Sequence, residues 1–194
     1  MPAERLRQKI LAKRDSLSAQ EIRTLSEGIH SNLESLPVYN SSRFPLFFAS
    51  FRSEVETISL IKNRLVSDRP VLLPRTLIKE KKLAIFSIRS MYDLAPGAYG
   101  ILEPVEARAE RVDPAKIDVV LVPGSVFDYR GGRFGYGGGF YDRFLSRDAP
   151  RAVRIGLAFS FQVLDNIPIK PHDELMDYII TERQVISCRT GLRR

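Results

Sequence analysis

Apolar residues recur among charges at Leu6, Ile10, Leu11 and Leu17, a spacing that predicts an amphipathic helix over residues 3–17. Arg5, Lys9 and Lys13 share an i, i+4 row on it. Ser18 followed by Glu21 reads as a capping box that opens a second helix, ending before Pro37. Residues 44–50 form an apolar run of strand length. Ser53-Glu-Val-Glu56 then opens a helix that carries Val55, Ile58, Ile61 and Leu65 at helical spacing, so this stretch reads as a βα unit.

Residues 70–74 predict a buried strand, and residues 83–89 another whose alternation suits a half-exposed position. Residues 90–116 are punctuated by Pro96, Gly97, Gly100, Pro104 and Pro114, the pattern of an ordered connection over a sheet edge or a ligand mouth. Ile117 to Val122 is the clearest parallel strand, ended by Pro123 and Gly124. A helix is expected to begin over residues 140–145, with strands over 153–159 and, last, 177–181. Strands separated by helices or long crossovers predict an open, mostly parallel α/β sheet, in which ligands bind beyond the carboxyl ends of strands. No repeat, low-complexity stretch or linker divides the chain, so residues 1–194 read as a single domain.

Six of the twelve glycines fall between Gly131 and Gly139, after the best strand and before a helix. Glycine lets successive N–H groups converge on an anion, and Arg130, Arg133 and Arg143 flank the run with countercharge. The run is no Walker A loop, since no Gly-Lys-Ser/Thr follows, and no dinucleotide fingerprint, since Phe140 stands at its sixth position. Asp142 suits the positive end of the following helix, or a Mg²⁺ ligand beside bound phosphates; Asp173 could add a second carboxylate. Glu56 reads as the capping partner of Ser53, or as a carboxylate for the amino groups of a heterocycle. Tyr99, Tyr136, Phe140 and Tyr141 offer rings for packing or stacking. No Ser/His/Asp set has convincing spacing, and Cys188 lacks a local histidine, so a protein nucleophile is not expected.

The net charge of +7 favours anionic partners, but it is scattered, which argues against a nucleic-acid interface. No apolar run reaches the roughly 18 residues of a membrane span. Charges at the N-terminus argue against an export signal, and a single cysteine cannot form an internal disulfide, so a cytoplasmic location is expected. With only His30 and His172, neither near Cys188 in sequence, a zinc site is not expected.

Taken in order, Glu54-Val-Glu-Thr57, Leu73-Pro74, Tyr99-Gly-Ile101 with Glu103-Pro104, Val122 to Asp128, Gly132 to Arg143, Ile155-Gly-Leu-Ala158, Gln162, Ile167-Pro168 and Asp173 resemble the signature of the 5-formyltetrahydrofolate cyclo-ligases. The resemblance covers nearly the whole chain. It implies a three-layer Rossmann-like fold of the NagB/RpiA/CoA transferase kind, and ATP- and Mg²⁺-dependent cyclisation of 5-formyltetrahydrofolate to 5,10-methenyltetrahydrofolate. The nucleotide would be held by Arg7 and by Arg133, Phe134, Gly135, Tyr136, Gly137, Gly138, Gly139, Phe140 and Tyr141, with Arg133 and Tyr141 acting in catalysis. The folate, which can carry several glutamates, would meet Phe51, Glu56, Tyr136, Gly137, Gly138, Gly139 and Phe140. Asp142 and Asp173 would hold Mg²⁺. A monomer is expected, without nucleic-acid or membrane partners. Two positions depart from the family: Ala3 replaces a customary lysine, and Phe140 replaces a tyrosine. They leave one competing reading, a folate- or nucleotide-binding protein that has kept the fold without turnover.

Overall fold

A computed structural model describes residues 3–188; Met1 and Pro2 of the N-terminal stretch read above lie outside the described residues. Helix α1 spans Ala3–Asp15 and α2 spans Ala19–Glu34. The Ser18 hydroxyl accepts the Glu21 N–H while the Glu21 carboxylate accepts the Ser18 N–H at 2.8 Å, the expected capping box. Pro37 begins a single-turn helix, α3 (Pro37–Asn40), because its missing N–H costs nothing at a helix start.

The apolar run 44–50 contributes only a short ladder strand, β1 (Pro45–Leu46), extended by the bond from the Phe47 N–H to Leu72. Beyond it Thr57 takes over, its hydroxyl donating to the Phe48 carbonyl and accepting the Ser50 N–H. Helix α4 is Ile58–Val66, with Thr57 at the N-cap. The capping box expected of Ser53 and Glu56 is therefore not formed. Ser53 is turned instead to α1, where its hydroxyl accepts Arg14 Nε at 3.1 Å and donates to Asp15. A tertiary partner 39 residues away has overridden a local pattern.

Strands β2 (Val71–Leu77) and β3 (Lys82–Ile88) pair antiparallel, as their four-residue connection requires. The irregular stretch holds a small hairpin of β4 (Leu94–Pro96) and β5 (Leu102–Pro104), then β6 (Glu110–Arg111), which adds to β3. Strand β7 is Val119–Val122. A hairpin of β8 (Val126–Asp128) and β9 (Arg133–Phe134) follows, then α5 (Phe140–Arg147), β10 (Val153–Leu157) and β11 (Val163–Leu164), the last paired to β8. The expected last strand appears as β12 (Tyr178–Ile180), but it is not the last, since β13 (Val185–Ser187) returns antiparallel to it.

The main sheet runs β13-β12-β10-β7-β1-β2-β3-β6, with the five from β12 to β2 mutually parallel. Alternation along β7 makes the layers. Val119 and Leu121 join the core with Ile29 and Leu33 of α2 and Leu60 and Ile61 of α4, while Val120 and Val122 join Phe144 and Leu145 of α5 on the other face. A third cluster seats Ile10 of α1 on Val126 and Phe134 of the β8–β9 hairpin and on Ile167. Strand order reverses beside β1, because β2 extends the sheet one way while β7, β10 and β12 extend it the other. A crevice opens at such a reversal. Among the described residues no helix is long and apolar enough to cross a membrane.

Candidate active site

At the carboxyl ends of β1, β7 and β10 lies a crevice walled by Phe48, Val55, Pro123, Gly124 and Leu157, with Arg14, Glu54 and Gln162 as its polar groups. Gln162 is fully buried, and its amide donates to the carbonyls of Gly124 and Ser125, fixing the turn that leaves β7. Arg14, Glu54 and Gln162 thus converge among apolar side chains, in a crevice that is closed in this structure.

The glycine run above it divides in two, which corrects the expectation of one continuous cradle. Gly131 and Gly132 make the β8–β9 turn around Asp128, a wholly buried carboxylate that accepts the N–H groups of Arg130, Gly132 and Ile167 and the Arg130 guanidinium. Only residues 135–139 form an open loop into α5. Among the described residues, their N–H groups donate to no protein acceptor. A row of unengaged donors before a helix start is what an anion requires.

The three flanking arginines also separate. Arg130 is held by Asp128 and the Ile167 carbonyl, and Arg143 by the carbonyls of Lys81 and Gly138. Arg133 is buried beside the loop, donating to the Pro123 carbonyl at 3.2 Å and to Asp142 at 2.9 Å, with its Nε buried and without a partner. Its guanidinium lies 5.9 Å over the ring of Tyr141.

Tyr136 ties the loop to the other wall. Its hydroxyl accepts Arg14 Nη1 at 2.7 Å and hydrogen-bonds Glu54, whose carboxylate also accepts the Phe51 N–H at 2.9 Å. Burial pushes the Glu54 carboxyl above the ordinary range, against the hydrogen bonds from Tyr136 and Phe51 and the charge of Arg14. The phenols of Tyr136 and Tyr141 are also raised, by burial first and then by the negative charge of Glu54. One carboxylate therefore acts on both tyrosines.

Arg133, Tyr136, Tyr141 and Asp142 are gathered with two residues the sequence reading passed over, Arg14 and Glu54. Arg14 could have been found, since it occupies the next i+4 place after Leu6 and Ile10 on a face that is otherwise apolar. Glu54 lies inside a recognised motif, but the capping pattern drew attention to Glu56 instead. Glu56 faces α4 and α2: its carboxylate accepts the Ser59 N–H at 2.9 Å and its carbonyl accepts His30 Nε2. Phe51 lies next to Gly100, with Arg52 over its ring. Phe134 is packed in the hairpin core, and Phe140 packs partly buried with the α5 layer. Arg7 pairs with Glu4 at 2.8 Å over the Phe134 ring, with its Nε buried and unpartnered. Cys188 is buried, its thiol pushed up to about 12 by burial and then by Asp128 and Asp177, which makes it inert as a nucleophile.

Mg²⁺ commonly takes one or two carboxylates together with phosphates and waters. Both hydrogen bonds that Asp142 accepts, from Arg133 and from the Glu174 N–H at 3.3 Å, fall on Oδ1. The second of these brings the segment of Asp173 beside Asp142, while Arg154 anchors that segment through Glu174 at 2.5 Å. Among the described residues no group of three or more His, Cys, Asp or Glu could hold a metal by itself. The Asp173 carboxylate accepts the Lys170 N–H at 2.8 Å, so a Mg²⁺ at this place fits as an ion arriving with phosphates beside Asp142 rather than one held in an all-protein cage.

The sequence model of the 5-formyltetrahydrofolate cyclo-ligase family matches residues 2–182. The 5-formyltetrahydrofolate cyclo-ligase of Saccharomyces cerevisiae is 35% identical over 184 residues, 84% of each chain, and that of Mus musculus is 27% identical, covering 91% of this chain and 92% of its own. The NMR structure of Aquifex aeolicus 5,10-methenyltetrahydrofolate synthetase superimposes with a TM-score of 0.87 at 36% identity, covering 100% of this chain and 96% of that one.

Proposed function

Because the chain belongs to the 5-formyltetrahydrofolate cyclo-ligase family, we propose that it cyclises 5-formyltetrahydrofolate to 5,10-methenyltetrahydrofolate, with ATP and Mg²⁺, releasing ADP and phosphate. The reading takes it to be a cytoplasmic monomer. In the reaction the formyl oxygen attacks the γ-phosphorus of ATP and ADP leaves. N10 then attacks the formyl carbon, gives up its proton to solvent or the departing phosphate, and phosphate leaves, so the protein must position two anionic substrates and balance charge, and needs no nucleophile of its own.

The observation that carries this reading is the convergence of an unengaged donor loop, a buried arginine and the half-buried carboxylates of Glu54 and Asp142 at the strand reversal. The N–H groups of residues 135–139 and Arg133 suit the phosphates, with Arg7 approaching over Phe134. Asp142 and Asp173 would hold Mg²⁺, which when bound neutralises phosphate charge. We assign the carboxylate facing the pterin to Glu54, because it lies in the crevice; Glu56 braces the turn that presents it, with Phe51 at its edge. Tyr141 stacks under Arg133 and keeps that guanidinium in place, while Tyr136 closes the loop over the crevice.

Incubation with 5-formyltetrahydrofolate, ATP and Mg²⁺ is expected to produce the absorbance of the methenyl product together with ADP. Absence of both, with a control enzyme active, overturns the proposal. Folate or ATP binding without ADP release would identify a protein that binds and does not turn over.

A further inference from the structure

Arg143 lies one turn into α5 and reaches back over the open loop. Its Nη2 donates to the Gly138 carbonyl at 2.7 Å and its Nε to the Lys81 carbonyl at 3.0 Å. One planar guanidinium thus joins the loop to the β2–β3 turn. That turn is a firm support, since β2 and β3 are paired from Val71 with Ile88 to Leu77 with Lys82. The same guanidinium lies 5.4 Å over the Phe140 ring, and that ring occupies the place of a Gly138 side chain, where a Cβ would stand 2.6 Å from two of its carbons. At Gly139 an added Cβ would stand 2.8 Å from Arg143 Nη1. The first turn of α5 is folded back on its own loop, and two glycines leave the room for it.

This contact sets the direction of one donor. A peptide unit is planar and trans, so its carbonyl and its N–H point to opposite sides. With the Gly138 oxygen held by Arg143, the Gly139 N–H faces away from the guanidinium, and it is among the loop donors that meet no protein acceptor in the described residues. Two adjacent glycines can turn the peptide between them over readily. With that unit reversed, the loop would offer a phosphate a carbonyl oxygen in place of an N–H.

We infer that Arg143 is a positioning residue for ATP: it holds the Gly138–Gly139 peptide with its N–H toward the phosphates and acts through the backbone rather than as a countercharge. The inference rests on the function proposed above. It gives Phe140 a part that its ring alone can fill, as the seat of the guanidinium, without the hydroxyl of the family's tyrosine. Arginine is required at this place, since the ammonium of a lysine has no planar fork with which to bridge two carbonyls and cover a ring.

The test compares Arg143→Lys, which keeps the charge, Arg143→Met, which keeps an apolar stem, and Arg147→Met, at an exposed position one turn further along the same helix. In rates measured well below Tm, KM for ATP is expected to rise on the order of tenfold in both Arg143 variants and to keep its wild-type value in Arg147→Met. In ¹H–¹⁵N spectra of the free proteins the Gly139 amide resonance should move in both Arg143 variants and stay in place in Arg147→Met. A countercharge role predicts instead that Arg143→Lys matches wild type while Arg143→Met loses affinity, most at low salt, and that result overturns the inference. So does a raised KM with an unmoved Gly139 resonance. A wild type that turns over beside a fully active Arg143→Lys overturns the positioning role alone. A wild type that neither binds ATP with Mg²⁺ nor turns over overturns the function and the positioning role together.

Discussion

Gly131→Ala and Gly137→Ala test the division of the glycine run, because both residues have positive φ and only one has neighbours. At Gly131, φ is +91° and an added Cβ would stand 2.5 Å from the Met176 carbonyl oxygen, closer than real Cβ contacts come. The backbone must move, and it is tied there by Gly131 N–H to Asp128 O and Met176 N–H to Gly131 O, each 2.9 Å. Left-handed strain of about 1–2 kcal/mol and two weakened hydrogen bonds of about 1 kcal/mol each give about 3–4 kcal/mol. For a chain of this size that lowers Tm by roughly 8–14 °C. At Gly137, φ is +96° and nothing lies within 4 Å, so only the strain of about 1–2 kcal/mol remains, a fall of roughly 3–6 °C. The loop holding that residue is the proposed phosphate site, so Gly137→Ala should raise KM for ATP several-fold, whereas Gly131→Ala, assayed well below its Tm, should leave it unchanged. Differential scanning fluorimetry and initial-rate kinetics on the two proteins decide the matter. Equal Tm losses, or a raised KM for ATP in Gly131→Ala alone, would refute the division into hairpin turn and ligand loop.

Asp142→Asn keeps an acceptor for Arg133 and the Glu174 N–H while removing a charge; turnover should fall at least a hundredfold and Mg²⁺ should no longer tighten ATP binding, whereas normal kinetics with a lowered Tm would leave Asp142 a helix-end residue only. The raised carboxyl of Glu54 makes its ionisation unfavourable to folding, so its contribution is fully present below the ordinary value of 4.5 and is lost as pH rises through the higher folded value. Glu54→Gln should therefore raise Tm relative to wild type only on the alkaline side of that window, and slow turnover at every pH; a Tm difference constant from pH 4 to 8 would contradict the burial argument. Tyr136→Phe removes the hydroxyl that joins Arg14 to Glu54, and trypsin should then cut faster at the two ends that flank the loop, after Arg133 in β9 or Arg143 in α5, with KM for folate raised about three- to tenfold; unchanged proteolysis and KM would show that the contact does not hold the loop.

What could be read in the sequence was whatever depends on neighbours along the chain. The Ser18 and Glu21 box, the apolar β7 and the helix after Gly139 all rest on spacings of a few residues, and all stand in the structure. The Ser53 and Glu56 pair had an equally good local pattern and failed, because Arg14 and Asp15 claim Ser53 across 39 and 38 residues. The β8–β9 hairpin was invisible for a related reason. Two residues of strand, Arg133 and Phe134, stand between glycines, and only the buried Asp128 and the packing of Ile10 on Phe134 distinguish them from loop. The site divides the same way: Asp142 and Arg133 announce themselves by their place beside the glycines, while Glu54 and Arg14 acquire meaning only when α1 and the turn after β1 meet.

The seating of α1 on the β8–β9 hairpin has a consequence for how the protein is made. Arg14 and Tyr136 are 122 positions apart, and Ile10 packs on residues as late as Ile167. On the ribosome α1 is among the first elements to emerge, yet the surface that receives it does not exist until most of the chain has followed. Contacts of such long span carry a large loop-closure cost and form late. During synthesis the apolar side of α1 has no surface to pack on, and every nascent chain shorter than this span lacks one wall of the crevice. A chain cut short of Tyr136 would lack the contact with Arg14 that ties the loop to the opposite wall.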